Sequence, residues 1–183
     1  MQPESLQETI TILAERVGKR LLSAEYRCFA QESSEVAQPL FAMGGEVCLR
    51  FESTAPMYLA WFHDRTAEWE AHYVISAFAK PTFREDAIEV VDVSDTTLWK
   101  PLVNTELQSV HIESWTVSPA ILRFTFGGGV AYVCSGIQWD LPGGIGDGDW
   151  VLVRSESEFR TYHGRYLPFC LLVSIPDQWE VGL

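Results

Sequence analysis

His63 and Asp64 stand side by side, and Glu68, Glu70 and His72 follow within the next eight positions. Two imidazoles and several carboxylates so close together carry the donor types of a zinc centre. Their spacing argues otherwise. The nine-residue gap between the histidines fits neither a helical His-Glu-x-x-His pattern nor a tight strand pair. Asp140, Asp147 and Asp149 surround a glycine-rich stretch and have the oxygen donors that Ca²⁺ takes, but not the EF-hand spacing or its closing bidentate glutamate. A flexible acidic hairpin accounts for them better. Trp61 and Trp139, with five further tryptophans, could line a cleft for a sugar or an apolar ligand. Should a pocket be assembled, His63, Asp64, His72, Asp140, Asp149, Trp61 and Trp139 are its candidate lining. No residue is assigned as catalytic, cofactor-binding or metal-ligating, and no cofactor is implied.

The remaining signatures are equally plain. Gly127-Gly128-Gly129 lies between two strand patterns, so it reads as a hairpin tip and not as a phosphate cradle, which needs a helix after it. There is no Gly-x-Ser-x-Gly elbow, and Cys28, Cys48, Cys134 and Cys170 are scattered without a Cys-x-x-Cys pair. They read as reduced, buried thiols.

These groups belong to a chain of ordinary globular composition. Its 183 residues are 47% hydrophobic with mean hydropathy +0.02, which suits one domain or two small halves sharing a core. Twenty-five acidic against thirteen basic residues give a net charge of −12. That balance opposes nucleic-acid binding and adsorption to an anionic membrane, and attracts a basic protein partner. Met1-Gln2-Pro3-Glu4 has no basic n-region and no run reaches the length of a membrane span, so a soluble cytoplasmic protein is expected.

Leu6, Ile10, Leu13 and Val17 recur at helical spacing, with Ser5 and Glu8 as a capping box and Gly18 at the left-handed C′ position. The pattern predicts a helix over 5–17. Strand patterns follow over 21–29, 41–51, 57–62, 72–78, 88–93, 107–115, 120–126, 130–134, 150–154 and 167–175. Ser94-Asp95 opens a short helical turn that Asn104 can close in the left-handed region. The two halves resemble each other. Val17 to Ser23 can be laid on Val103 to Ser109, with Gly18 on Asn104. Gly44-Gly45-Glu46-Val47 falls on Gly127 to Val130, Asp64 on Asp140, Tyr73 to Ile75 on Trp150 to Leu152, and Phe83-Arg84 on Phe159-Arg160.

Leu122-Arg-Phe-Thr-Phe126, a glycine turn, Val130-Ala-Tyr-Val-Cys134, a Gly/Asp-rich loop and Asp149-Trp-Val-Leu-Val153 form a recognisable layout. Over 105–155 it resembles small acidic β-rich bacterial proteins of unknown function, including immunity-type proteins of polymorphic toxin systems. That resemblance implies a non-enzymatic protein that binds a cognate toxin, and carries over no contact residues.

The expected fold is α+β, predominantly antiparallel β with an N-terminal helix and two pseudo-repeated β units sharing one core. One curved sheet or half-open barrel wrapped on the helix is the alternative. The chain is read as a single domain over 1–183, with a helix at 5–17, β units at 18–92 and 93–160, and a C-terminal strand at 161–183. The expected function is non-enzymatic protein binding, in an immunity-type or accessory role. A carbohydrate or small-ligand binder using exposed aromatics is one alternative, and a hydrolase assembled from distant Asp and His residues is the other.

Overall fold

A computed structural model of the chain describes residues 6–29, 45–64, 72–83, 88–114, 121–136, 150–163 and 170–176. Helix α1 (Leu6–Ala14) comes first. The strands β1 (Leu21–Phe29), β2 (Glu46–Phe51), β3 (Met57–Asp64), β4 (His72–Phe78) and β5 (Ile88–Asp92) form the first half. The second half comprises β6 (Leu107–Ser114), β7 (Ile121–Phe126), β8 (Gly129–Gly136), β9 (Trp150–Ser155), helix α2 (Glu156–His163) and β10 (Cys170–Pro176).

Every strand pairing among the described residues is antiparallel. The strands make two five-stranded sheets, ordered β4-β3-β2-β1-β5 and β10-β6-β7-β8-β9. Reversing the second order gives β9-β8-β7-β6-β10, the connectivity of the first. Each sheet is a four-stranded meander whose first strand takes the fifth strand on its other side. Strand β10 is therefore the counterpart of β5 within the second sheet.

The likeness extends to register. A bulge interrupts β1 between Leu21 and Ser23, and another interrupts β6 between Leu107 and Ser109. These positions differ by 86 in both cases. Leu21 is the register partner of Phe51, and Leu107 that of Phe126. The sheets meet at this point through reciprocal bonds. Gly18 N donates to Leu107 O at 2.8 Å and Asn104 N to Leu21 O at 2.7 Å. Leu21 N donates to Thr105 O at 3.0 Å, and Leu107 N to Lys19 O at 2.9 Å. An isolated bridge joins Arg20 to Glu106 between them. Such exchange, in which i contacts j and j contacts i, is the pattern of a twofold junction. Gly18 and Asn104 both have the left-handed backbone it requires, at φ 76° and 65°. Glycine and asparagine tolerate that conformation best.

One apolar interior lies between the sheets. Val47, Leu49, Phe51 and Leu59 from the first join Leu107, Val110, Phe124 and Val133 from the second in one buried cluster. Phe51 and Phe126 stack across it at 6.4 Å and 7°. Ile10 and Leu13 bring the apolar stripe of α1 into the same cluster. The corresponding place in the second half is taken by the turns over 94–104, whose Trp99 is fully buried and donates Nε1–H to the Tyr26 hydroxyl at 2.7 Å.

Four differences from the sequence reading follow. The regular helix ends at Ala14, because Arg16, Val17 and Lys19 bond three residues back while the chain approaches left-handed Gly18. The match of Gly45-Glu46-Val47 to Gly128-Gly129-Val130 is one strand out. It sets the start of β2 on that of β8, whereas the register makes β7 the counterpart of β2. The match of Tyr73 to Ile75 on Trp150 to Leu152 joins the right strands but is one residue out, because Phe78 corresponds to Arg154 and inward Ile75 to inward Val151. Glycines mark tight turns, and turns occur at more than one strand junction. Helix α2 had no counterpart among the expected elements. Ser5 and Gly44 lie outside the described residues.

Candidate functional site

The register of β3 and β4 sets Asp64 opposite His72, His63 opposite Tyr73, and Trp61 opposite Ile75. The interval that argued against a tight strand pair thus closes as one, with Asp64 rather than His63 as the partner of His72. Asp140, Asp149 and Trp139 lie outside the described residues. Among the described residues, no three His, Cys, Asp or Glu side chains gather as a metal site would need.

The side chains that do gather occupy the outer face of each sheet. Strand alternation sends Val47, Leu49 and Phe51 inward and leaves Glu46, Cys48 and Arg50 on the opposite face of β2. Glu46 is fully buried there. Its Oε1 accepts from Arg27 Nε at 2.6 Å, and its Oε2 accepts from Thr82 N and Thr82 Oγ1 at 2.9 and 2.8 Å. The Arg27 guanidinium lies 5.6 Å from the Tyr58 ring centre. Cys48, Tyr58, Ala60 and Phe78 form a small second cluster beside it. Burial, reinforced by the Glu25 carboxylate, pushes the Cys48 thiol up to about 11. A thiol so raised remains protonated near neutral pH and is a poor nucleophile. The arrangement acts as a clamp holding the 79–83 segment onto the sheet.

The second sheet carries different chemistry in the same place. Cys48, Tyr58 and Phe78 are register partners across β2, β3 and β4. Their counterparts across β7, β8 and β9 are Arg123, Tyr132 and Arg154, and His111 on β6 extends the row. Phe159 of α2 stacks on Tyr132 at 4.0 Å and 4°, covering it. Sequence reasoning missed both faces. A signal was present in Glu25 and Arg27, two residues apart within apolar β1, because alternating charge in a buried strand marks a second covered face.

Charge is therefore distributed unevenly with depth. Arg16, Arg27 and Arg154 are buried, against Glu46 as the one buried acid among the described residues. Glu8, Glu15, Glu52, Glu89, Asp92, Asp95 and Glu106 are exposed. Hydrogen bonds from the Ser94 hydroxyl and the Ser94 N–H hold the Asp92 carboxyl below the ordinary range. Compared with protein-family models, curated proteins and solved structures, the chain matches none. Among the described residues no helix is long and apolar enough to cross a membrane.

Proposed function

We propose that this protein is a non-catalytic binding protein, of immunity-type or accessory role, whose acidic exterior takes a basic protein as partner. The observation that carries this reading is the sorting of charge by depth. Placing three arginines inside makes the accessible surface more acidic than composition alone implies. Such a field speeds encounter with a cationic surface and repels acidic competitors and nucleic acid. The test titrates the immobilised full-length chain with a panel of basic and acidic proteins, nucleases included, at low and high ionic strength. Tight binding of a basic member that weakens as salt shortens the screening length supports the proposal. Failure to hold any basic protein at low salt overturns it.

The two like sheets we ascribe to tandem duplication of one β unit. Supporting this are the common separation of the paired bulges, bonds and left-handed residues, and the identical connectivity. On this account the outer faces have since diverged, with one keeping an apolar row and the other a cationic one.

A further inference from the structure

Among the described residues strand β5 ends the first sheet, and nothing pairs with its far side. Its pairing with β1 fixes which backbone groups are left over. Val93 N donates to Ala24 O at 3.0 Å, and the register continues as Asp92 with Glu25, Val91 with Tyr26, and Val90 with Arg27. In an antiparallel ladder, opposed residues alternate between pairs that bond each other and pairs that turn their groups away. Residues 93, 91 and 89 therefore face β1. Ile88, Val90 and Asp92 direct their N–H and C=O groups to the open edge.

The side chains along that edge are unusual for a protected one. Edges are commonly blunted by lysine, proline or a bulge. Here Val90 is 49% exposed, one of two large hydrophobic residues so exposed among those described. Glu89 and Asp92 flank it, both exposed, and neither enters an ion pair among the described residues. The nearby cations are already engaged, Arg27 by Glu46 and Arg50 by Glu25. Two copies of β5 paired antiparallel about Val90 would set Asp92 against Ile88 and Glu89 against Val91, leaving four carboxylates on one short ladder with no cation to balance them, so the edge disfavours self-pairing. A cationic strand meets no such obstacle.

We infer that the open edge of β5 receives an extended basic segment of the partner protein, which adds to the first sheet as a sixth strand. Antiparallel addition places one incoming residue against each of Asp92, Val91, Val90 and Glu89. The matching segment reads, from its N-terminus, basic, any residue, apolar, basic. Main-chain bonds at Ile88, Val90 and Asp92 supply affinity, and the alternate side chains supply selection. This inference rests on the acidic-binding reading and gives it a location.

The probe is a synthetic peptide carrying Lys-Thr-Val-Lys between threonines, titrated into the full-length protein. A companion peptide has glutamate for both lysines. Binding of the first but not the second is expected, with slowed amide exchange at Val90 and Asp92. Val90→Pro deletes an outward N–H while sparing the bonds to β1, and should weaken binding about tenfold or more, equivalent to about 1.4 kcal/mol. Glu89→Gln with Asp92→Asn should weaken it while lowering its salt dependence. Circular dichroism checks that each variant is folded. If Val90→Pro binds the basic partner as tightly as the parent and with the same salt dependence, the edge proposal falls and the acidic-surface reading survives. If neither the peptide nor any basic protein binds, both fall. A dimer of the parent that Val90→Pro abolishes also overturns the proposal, since the edge would then belong to a second copy.

Discussion

At the scale of single residues, the Arg27–Glu46 pair sets the largest expected effects. Glu46 satisfies three donors from a position without solvent, and Arg27 Nη2 is buried without a hydrogen-bond partner among the described residues. Removing the carboxylate by Glu46→Leu leaves a buried guanidinium uncompensated and should cost about 3–5 kcal/mol in urea unfolding. The double variant Arg27→Met with Glu46→Leu removes both charges and should recover much of that loss. A double variant as unstable as the single one would show that the charge is not what the pair protects. Cys48 governs a pH effect. Its folded value of about 11 lies above the ordinary 9.0, so the unfolded chain releases its proton first. Its contribution is complete below pH 9 and declines as pH rises through 11. Tyr26, which burial also raises above its ordinary 10.0, adds to the same alkaline decline. Cys48→Ala should flatten stability against pH between 9 and 11. An unchanged slope would mean the thiol is solvated. Little of this chemistry was legible beforehand. The sequence reading weighed local motifs, while Glu46, Arg27 and Thr82 meet only because β1, β2 and the 79–83 segment are stacked in space.

At the scale of elements, the β7–β8 hairpin provides a contrast between adjacent glycines. A Cβ on Gly128 would sit 1.9 Å from Pro101 O, within the turn run that positions Trp99, whereas one on Gly127 finds nothing nearer than 3.8 Å. Gly128→Ala must displace backbone and should lose about 2 kcal/mol or more, while Gly127→Ala stays within about 0.5 kcal/mol. Thermal unfolding of the two variants checks the order, and equal losses would refute the close approach. Helix α2 shows what was readable and overlooked. Ser155 and Glu158 form a reciprocal capping box, with Ser155 N donating to Glu158 Oε2 at 2.8 Å and Glu158 N to Ser155 Oγ at 3.4 Å. The Ser-x-x-Glu pattern was present in the sequence, but the element is only eight residues, mostly polar, with Phe159 as its main buried apolar anchor, too short and too hydrophilic for the apolar spacing to stand out. Strands were far more legible. Alternation placed ten of them within a few residues, since large β-branched and aromatic side chains mark the pleat directly. Correspondence between the halves was legible to the residue where backbone conformation constrains residue type, as at Gly18 and Asn104; apolar alternation alone matched β4 to β9 but slipped by one, and the match failed where glycine served a different turn.

At the scale of the whole molecule, the twofold junction and one shared apolar cluster join the two sheets. Neither sheet can cover its inner face without the other, because Phe51, Phe124 and Phe126 pack into a shared cluster and the bonds around Leu21 and Leu107 cross between halves. A chain whose halves folded independently would lose them in two steps. Unfolding in urea should instead give coincident transitions by far-UV circular dichroism and by tryptophan fluorescence, as a single two-state domain does. The Phe51–Phe126 stack tests the coupling directly. Each ring replaced by alanine should cost about 3–5 kcal/mol, and the two losses should fall short of additivity by about 1 kcal/mol, because the second deletion removes a contact already broken. Strict additivity, or transitions that separate when either ring is removed, would mean that each β unit stands on its own and that the reciprocal bonds merely join them.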